Sequence, residues 1–381
     1  MDKILINLFD RHNQGNLIAI DEIKPNKVIY IIDEEIQDIF ENIGGYEQKI
    51  YSKIEFKNYI INEKTILNIR KLLERLPVKN TIINITSGKR IYSLILFNEA
   101  LNLGFKTISI DMLNKNIYEF GSNFKRKKFE LMDLNLENMF KLTGADILKD
   151  STKLIENQDV INIVKKIYEN IDIWYELKNK LYDKNIFIHD YYDNNKISIK
   201  SDNLDFRQKK ILNICLKYLK DLKVLDYTKI CEEIEVKFLK ENIKSLIFKS
   251  GTWLEVLTNI VVKEMTEIDE VKSGVIFLWE ECNNTVRNEL DVLAVKDSIF
   301  ICISCKDSDK YDEDALNELE VYSKRLGGNV VKKILVATKN PCKKCVVERA
   351  KAMDINLIIL ENDIDKFRNS LKNIILNKNN N

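Results

Sequence analysis

Between Glu289 and Lys306 the chain carries two carboxylates and a lysine at spacings that can do chemistry. Glu289-Leu290-Asp291-Val292 and Ile303-Ser304-Cys305-Lys306 flank a turn, and both alternate apolar with polar residues at the two-residue period of a strand. A two-residue turn at Lys296-Asp297 pairs Val295 with Ser298, Glu289 with Ser304 and Asp291 with Cys302. Leu290, Val292, Ala294, Ile299, Ile301 and Ile303 then share one face and must be core, while Glu289, Asp291, Ser304 and Lys306 gather near one end of the other. A slip by one residue would bury the carboxylates and expose the isoleucines, so the apolar pattern forces the polar groups together. Carboxylate oxygens suit Mg²⁺ or Mn²⁺, which neutralises phosphate charge and lowers the pKa of a water. The Lys306 ammonium can orient that water or stabilise a phosphorane. The expected chemistry is metal-dependent hydrolysis of a phosphodiester.

The elements that must hold these residues alternate strand and helix. A helix over 251–265 places Glu255 beside the hairpin. Strands are expected over 275–279, 289–295, 298–304, 331–338 and 356–360, with helices over 313–326 (capped by Gly327-Gly328), 345–353 and 363–373. The first 150 residues have the same rhythm. Val28-Ile29-Tyr30-Ile31-Ile32 and Thr81-Ile82-Ile83-Asn84-Ile85-Thr86 are buried-strand runs, and Thr107 to Asp111 is another. Helices are expected over 35–43 (closed by Gly44-Gly45), 66–76 and 90–103, which gives βαβ units, a parallel sheet and ligands at the strands' carboxyl ends. Residues 150–250 hold Lys-rich amphipathic stretches over 156–181 and 206–222 and a short hairpin within 189–199; they read as a helical connector.

With 381 residues the chain has room for two or three domains. Its 60 Lys and Arg against 59 Asp and Glu leave a net charge of +1, so a nucleic-acid partner cannot be argued from bulk basicity and must be shown by local chemistry. No apolar run approaches a bilayer span and the first residues lack signal-peptide architecture, so a soluble, cytoplasmic protein without a membrane partner is expected. Seven cysteines, all after residue 214, are expected to be reduced thiols. Cys342-x-x-Cys345 lacks a second pair at zinc spacing, with Cys282, Cys302 and Cys305 in or beside strands; Lys125–Lys128 reads as a solvated face and His189 as structural.

The hairpin resembles the PD-(D/E)xK nuclease fold, in which an acidic residue on one strand is followed on the next by an acidic residue, a spacer and a lysine. Asp291 and Lys306 match; Ser304 stands where the second acid belongs. Some restriction endonucleases with an S-x-K take the missing carboxylate from the following helix, which here offers Glu318 and Glu320; Glu289, opposite Ser304, and Glu255 are further candidates. Together, Asn288-Glu289-Leu290-Asp291-Val292, Ile303-Ser304-Cys305-Lys306 and Gly251-Thr252-Trp253-Leu254-Glu255 resemble the nuclease half of CRISPR (type III) ancillary endonucleases. Those proteins join an N-terminal CARF domain, a Rossmann-like sensor of cyclic oligoadenylates, to a PD-(D/E)xK nuclease. Asn84-Ile85-Thr86-Ser87-Gly88-Lys89 resembles the family's ligand loop, with Ser87 in place of its first glycine and the threonine before the lysine missing.

This resemblance implies an α/β chain with a Rossmann-like CARF domain at 1–148, a mostly helical connector at 149–245 and a restriction-endonuclease-like α/β domain at 246–381. It implies catalysis by Asp291, Lys306, Glu289, Ser304 and Glu318, with metal held by Asp291, Glu255 and Glu318. Asn84, Thr86, Ser87, Gly88 and Lys89 would hold the activator, with Asn13 and Gln14 of the loop after the first strand reading adenine edges or ribose hydroxyls. The expected activator is cyclic tetra-adenylate clasped by a homodimer, and the substrate single-stranded DNA or RNA. Two other functions stay open: a degenerate, ligand-gated nucleic-acid-binding regulator, and a restriction-like endonuclease of duplex DNA.

Overall fold

The computed structural model describes residues 2–129, 134–279 and 286–376. Cys282 and the last residues, 377–381, lie outside them. The N-terminal strands are β1 (Ile4–Leu8), β2 (Lys27–Asp33), β3 (Glu55–Ile61), β4 (Thr81–Asn84), β5 (Lys106–Asp111), β6 (Asn116–Phe120) and β7 (Lys125–Lys128). They form one sheet in the order β3-β2-β1-β4-β5-β6-β7, parallel from β3 to β5 and antiparallel beyond. This is the Rossmann-like arrangement expected from the βαβ rhythm. The strand order reverses at β1, between β2 and β4, so the crevice at their carboxyl ends is where a ligand belongs. The basic run 125–128 forms the exposed edge strand β7.

Two expectations need correction here. The helix thought to stop at Gly44-Gly45 runs from Gln37 to Ile50, and 66–76 is shorter, a 3₁₀ turn leading into Ile69–Leu73. Ile39, Phe40, Ile43 and Glu47 continue one buried stripe through the glycines. A Cβ on Gly44 would lie 2.9 Å from the Phe40 ring, so that glycine admits the ring rather than ending the helix.

The middle region adds an antiparallel sheet to its expected helices. Strands β9 (Phe187–His189), β10 (Lys196–Lys200), β11 (Leu225–Ile230) and β12 (Glu233–Phe238) form an antiparallel sheet in the order β11-β12-β10-β9. The expected hairpin is β9–β10; β11–β12 was missed, although Ile234, Val236 and Phe238 alternate with charged residues and are buried. Helices Gln158–Glu169, Ile171–Leu181 and Phe206–Asp221 belong to the same region.

The third sheet, order β17-β16-β15-β14-β13-β8, is built from β8 (Ala145–Lys149), β13 (Glu270–Trp279), β14 (Asn288–Lys296), β15 (Ile299–Lys306), β16 (Lys332–Ala337) and β17 (Asn356–Ile359). Because β8 pairs with β13, a boundary at 148 runs through a strand of this sheet. Helix Thr252–Lys263 packs on β13, β14 and β15, and helix Glu313–Gly327 on β15 and β16. Both faces are therefore covered, and Leu293, Val295, Phe300 and Cys302 are as buried as Val292, Ala294, Ile301 and Ile303. Phe140 joins the N-terminal half to this sheet, meeting Phe277 and Phe300 edge to face at 5.3 and 5.7 Å.

Candidate functional site

The β14–β15 turn sits one residue later than the spacing suggested. Lys296 pairs with Ile299, and Asp297 and Ser298 both have positive φ (53° and 56°), the geometry of a two-residue type I′ turn. Each residue of β14 thus meets a partner two positions later on β15 than expected, with Val292 opposite Ile303. An even shift leaves every side chain on its face, so the polar set survives while its pairing changes: Asp291 meets Ser304 instead of Cys302.

The regular ladder ends at Val292–Ile303. Beyond it one oxygen of Asp291, Oδ2, accepts the Cys305 backbone N–H at 2.7 Å and the Ser304 hydroxyl at 3.1 Å. A side chain here replaces a backbone acceptor and ties the two strands where they part. Ser304 therefore acts as a donor to Asp291.

Glu255 lies in the first turn of helix Thr252–Lys263, 7% exposed. Burial, and then the Asp291 charge, push its carboxyl up to about 8. Burial also raises Asp291, opposed by the Lys306 ammonium and the two hydrogen bonds. Lys306 is half-buried at the end of β15, within electrostatic reach of both carboxylates, and has no ion pair within 4 Å among the described residues. Glu289 is exposed and pairs with Lys249 at 3.4 Å. Sequence reasoning passed over Lys249, although it lies just before Gly251 and its ammonium acts on Glu255, Glu289 and Asp291.

The structure thus gathers Asp291, Glu255, Lys306 and Ser304, with Glu289 at the rim. Glu318 sits elsewhere, on the exposed face of helix Glu313–Gly327, accepting from Tyr322 at 3.2 Å, and Glu320 is paired with Lys333 at 2.7 Å. Among the described residues no three His, Cys, Asp or Glu side chains converge as a metal cage. Two buried carboxylates that oppose each other's ionisation still fit a hard divalent cation, since Mg²⁺ is commonly held by one or two carboxylates with water and phosphate completing the shell. All six described cysteines are free, and burial pushes the Cys302 thiol up to about 12.

At the N-terminal crevice, the loop after β4 is held from below. Asn84, fully buried, donates to Asn7 at 3.1 Å and Asn16 at 2.9 Å and accepts from the backbone N–H and hydroxyl of Thr86. Thr86 in turn accepts from the Ile110 N–H at 2.8 Å. Asn13, also fully buried, accepts from Asn16 at 2.6 Å and donates to Glu47; Gln14 is buried at the start of helix Gln14–Ile23. These amides bond one another and fix the loop's shape. Above them a cavity of about 200 Å³ is lined by residues including Phe9, Asp10, Asp33, Gly88, Lys89 and Tyr92. Ser87 is buried at the loop's bend, and Lys89 is ion-paired with Asp33 at 2.6 Å and Glu35 at 2.8 Å. Asp10 and Asp33 were missed, although each closes a strand run at the carboxyl edge where ligands collect.

Gly88 has φ +87°, and a Cβ there would lie 2.9 Å from Leu8 Cβ, in the cavity wall. Gly88→Ala is expected to destabilise the fold by about 1–2 kcal/mol, read as a lower thermal midpoint, and to weaken any anion bound at the loop.

Residues 243–378 match the family model described as Card1-like, endonuclease domain. No curated protein matches the chain. Among solved structures it is similar to protein VC1899 from Vibrio cholerae, at 19% identity and TM-score 0.75 over 97% of this chain and 96% of that one. It is similar to Can2 from Sulfobacillus thermosulfidooxidans, solved in complex with cyclic tetra-adenylate, at 15% identity and TM-score 0.70 over 98% and 100%. A type III CRISPR defence DNA nuclease activated by cyclic oligoadenylate superposes at TM-score 0.54 with 12% identity, over 96% of this chain but 51% of that one. The chain resembles the CRISPR ancillary CARF nucleases in fold from end to end, and its residues 243–378 match their Card1-like endonuclease domain.

Proposed function

We propose that the protein is a divalent-metal-dependent endonuclease of single-stranded DNA or RNA, switched on by a cyclic oligoadenylate, with cyclic tetra-adenylate as activator. The observation that carries it is the convergence of Asp291, Glu255 and Lys306 at one end of the β14–β15 pair, inside the segment that matches an endonuclease family. Asp291 and Glu255 would hold the cation, which supplies charge neutralisation at the phosphate and a more acidic water. Lys306, without an ion pair among the described residues, lies within electrostatic reach of the two carboxylates, where it can orient an attacking water or donate to a phosphate oxygen. Ser304 and the Cys305 N–H keep Asp291 pointed into the site.

The activator belongs in the crevice at the carboxyl ends of β1 and β4, where Gly88 allows close approach and Arg11 and Lys89 are cations of the lining. Similarity over the full length to Can2, solved with cyclic tetra-adenylate, supports this placement. A symmetric ring fits an isologous homodimer of such crevices. No described helix is long and apolar enough to cross a membrane.

The test is cleavage of single- and double-stranded DNA and of RNA with Mg²⁺, Mn²⁺ or EDTA, with and without cyclic tetra-adenylate. Metal-dependent cutting of single strands that appears only with activator is expected. Cutting of duplex DNA without activator would favour the restriction-like alternative, and no cutting in any arm a nucleic-acid-binding regulator.

A further inference from the structure

Asp307 follows Lys306 directly, and its side chain is fully buried. Four side chains from three elements donate to it. Lys178 Nζ meets Oδ2 at 2.6 Å and also bonds the Asp307 carbonyl at 2.5 Å. The Trp253 indole N–H donates to Oδ2, the Tyr175 hydroxyl to Oδ1 at 2.7 Å, and the Thr338 hydroxyl to Oδ1 at 3.2 Å. The Thr338 N–H also holds the Lys306 carbonyl at 3.1 Å. A buried carboxylate persists only when paired and fully hydrogen-bonded, and one so satisfied has a single orientation.

The donors connect separate parts of the chain. Trp253 lies two residues before Glu255 on the same helix, so the bond that holds its indole sets the first turn that presents Glu255. Tyr175 and Lys178, three apart on one face of helix Ile171–Leu181, come from the middle region, outside the segment that matches the endonuclease family. Lys339, just beyond Thr338, places its ammonium 4.3 Å from the Tyr175 ring centroid and adds to the same junction.

We propose that Asp307 is a positioning residue of the nuclease site: its carboxylate clamps the strand carrying Lys306 and the helix carrying Glu255 onto helix Ile171–Leu181, so a helix outside the nuclease segment sets the catalytic geometry. The catalytic part of this inference rests on the nuclease reading above.

The experiment compares full-length wild type with Lys178→Met, Lys178→Arg and Tyr175→Phe. It measures kcat and KM for activated single-strand cleavage, cyclic tetra-adenylate affinity, and hydrogen exchange over 252–258 and 304–308. Lys178→Met is expected to lower kcat roughly tenfold or more with KM within about twofold, because misplacement of reacting groups by an ångström costs that much or more. Activator affinity stays unchanged, exchange rises in both segments and not in the sensor, and Lys178→Arg restores most of the rate. Tyr175→Phe, which removes one hydroxyl and keeps the fold, is expected to move kcat and exchange the same way by a smaller factor. Unchanged kcat and unchanged exchange at 252–258 and 304–308 in both Lys178→Met and Tyr175→Phe would overturn the clamp. If wild type cuts nothing, the nuclease reading fails, and exchange at those two segments still decides whether Asp307 fastens them.

Discussion

Asp291→Asn is expected to abolish cleavage and to make the metal-free protein more stable. Both hydrogen bonds that Asp291 receives end on one oxygen, Oδ2, so an asparagine amide with its oxygen there keeps the Cys305 and Ser304 donors satisfied. What it removes is a negative charge from a pocket where Glu255 is already pushed up to about 8 by burial and by Asp291 itself. Without that charge no pair of carboxylates can hold a divalent cation, and loss of about 10³-fold in kcat, some 4 kcal/mol of transition-state stabilisation, is the expected scale. The sign of the stability change follows from linkage. A carboxyl whose folded pKa lies above its unfolded value binds a proton in the folded state that the unfolded chain has lost, so stability falls as pH rises between the two values, here from about 4.5 to about 8. Asp291→Asn should therefore match wild type near pH 4 and exceed it near pH 8 in EDTA, by an amount of order 1–2 kcal/mol or several degrees in thermal midpoint. Lys306→Met should also remove activity, by about 10²–10³-fold. It should lower the midpoint, because its ammonium, with that of Lys249, counters both carboxylates. Opposite stability shifts with a shared loss of cleavage would mark a site whose charges are held against folding for the sake of chemistry. A falling midpoint in Asp291→Asn at pH 8 would show that the carboxylates are not opposed.

The parts of the site that were legible in the sequence were those set by strand periodicity. The apolar alternation of β14 and β15 fixes faces, and the turn was misplaced by one residue without harm, because the resulting pairing shift is even. Asp291, Ser304 and Lys306 would have been scattered by an odd shift. Glu255 was legible for a different reason, as a carboxylate in the first turn of an apolar helix beside the hairpin. Contacts that depend on distant partners were not legible. Lys178 lies 129 residues from Asp307, and nothing in a Lys-rich amphipathic helix marks one lysine as buried. The β11–β12 hairpin was hidden by its Glu and Lys content, which mimics a solvated helix although its alternation is that of a strand. At the N-terminal crevice, Asn13, Asn84 and Thr86 were singled out as groups for a ligand; in the structure they bond one another in an internal network that shapes the loop. Gly88 and Lys89 of the same loop do line the cavity, together with residues at strand ends, Asp10 and Asp33 among them.

Glu47 anchors that network, and its substitutions should separate hydrogen bonding from charge. It is fully buried on helix Gln37–Ile50, where it accepts from Asn13 and from the Tyr30 hydroxyl at 2.7 Å. Asn13 bonds Asn16, Asn16 bonds Asn84, and Asn84 holds Thr86 of the loop, so the chain of contacts runs unbroken from Glu47 to the crevice. Burial pushes its carboxyl up to about 8, against the pull of the two donors. It is therefore protonated in the folded protein and ionised in the unfolded chain between about pH 4.5 and about 8, and stability falls across that window as pH rises. Glu47→Gln mimics the protonated acid without a titrating proton: its oxygen can accept from Asn13 while its amide N–H donates to the Tyr30 hydroxyl. It should be near neutral at pH 5, stabilising by about 2–4 kcal/mol above pH 8, and should leave activator affinity intact. Glu47→Leu leaves the Tyr30 hydroxyl and an Asn13 N–H unpaired in the core. It should cost about 2–4 kcal/mol at pH 5, where charge plays no part, and weaken cyclic tetra-adenylate binding through the slackened loop. Chemical denaturation at pH 5 and pH 8.5, with activator titrations on the same samples, reads both effects. A glutamine variant that loses stability at pH 8.5 would mean that Glu47 is held as an anion, with its two donors outweighing burial.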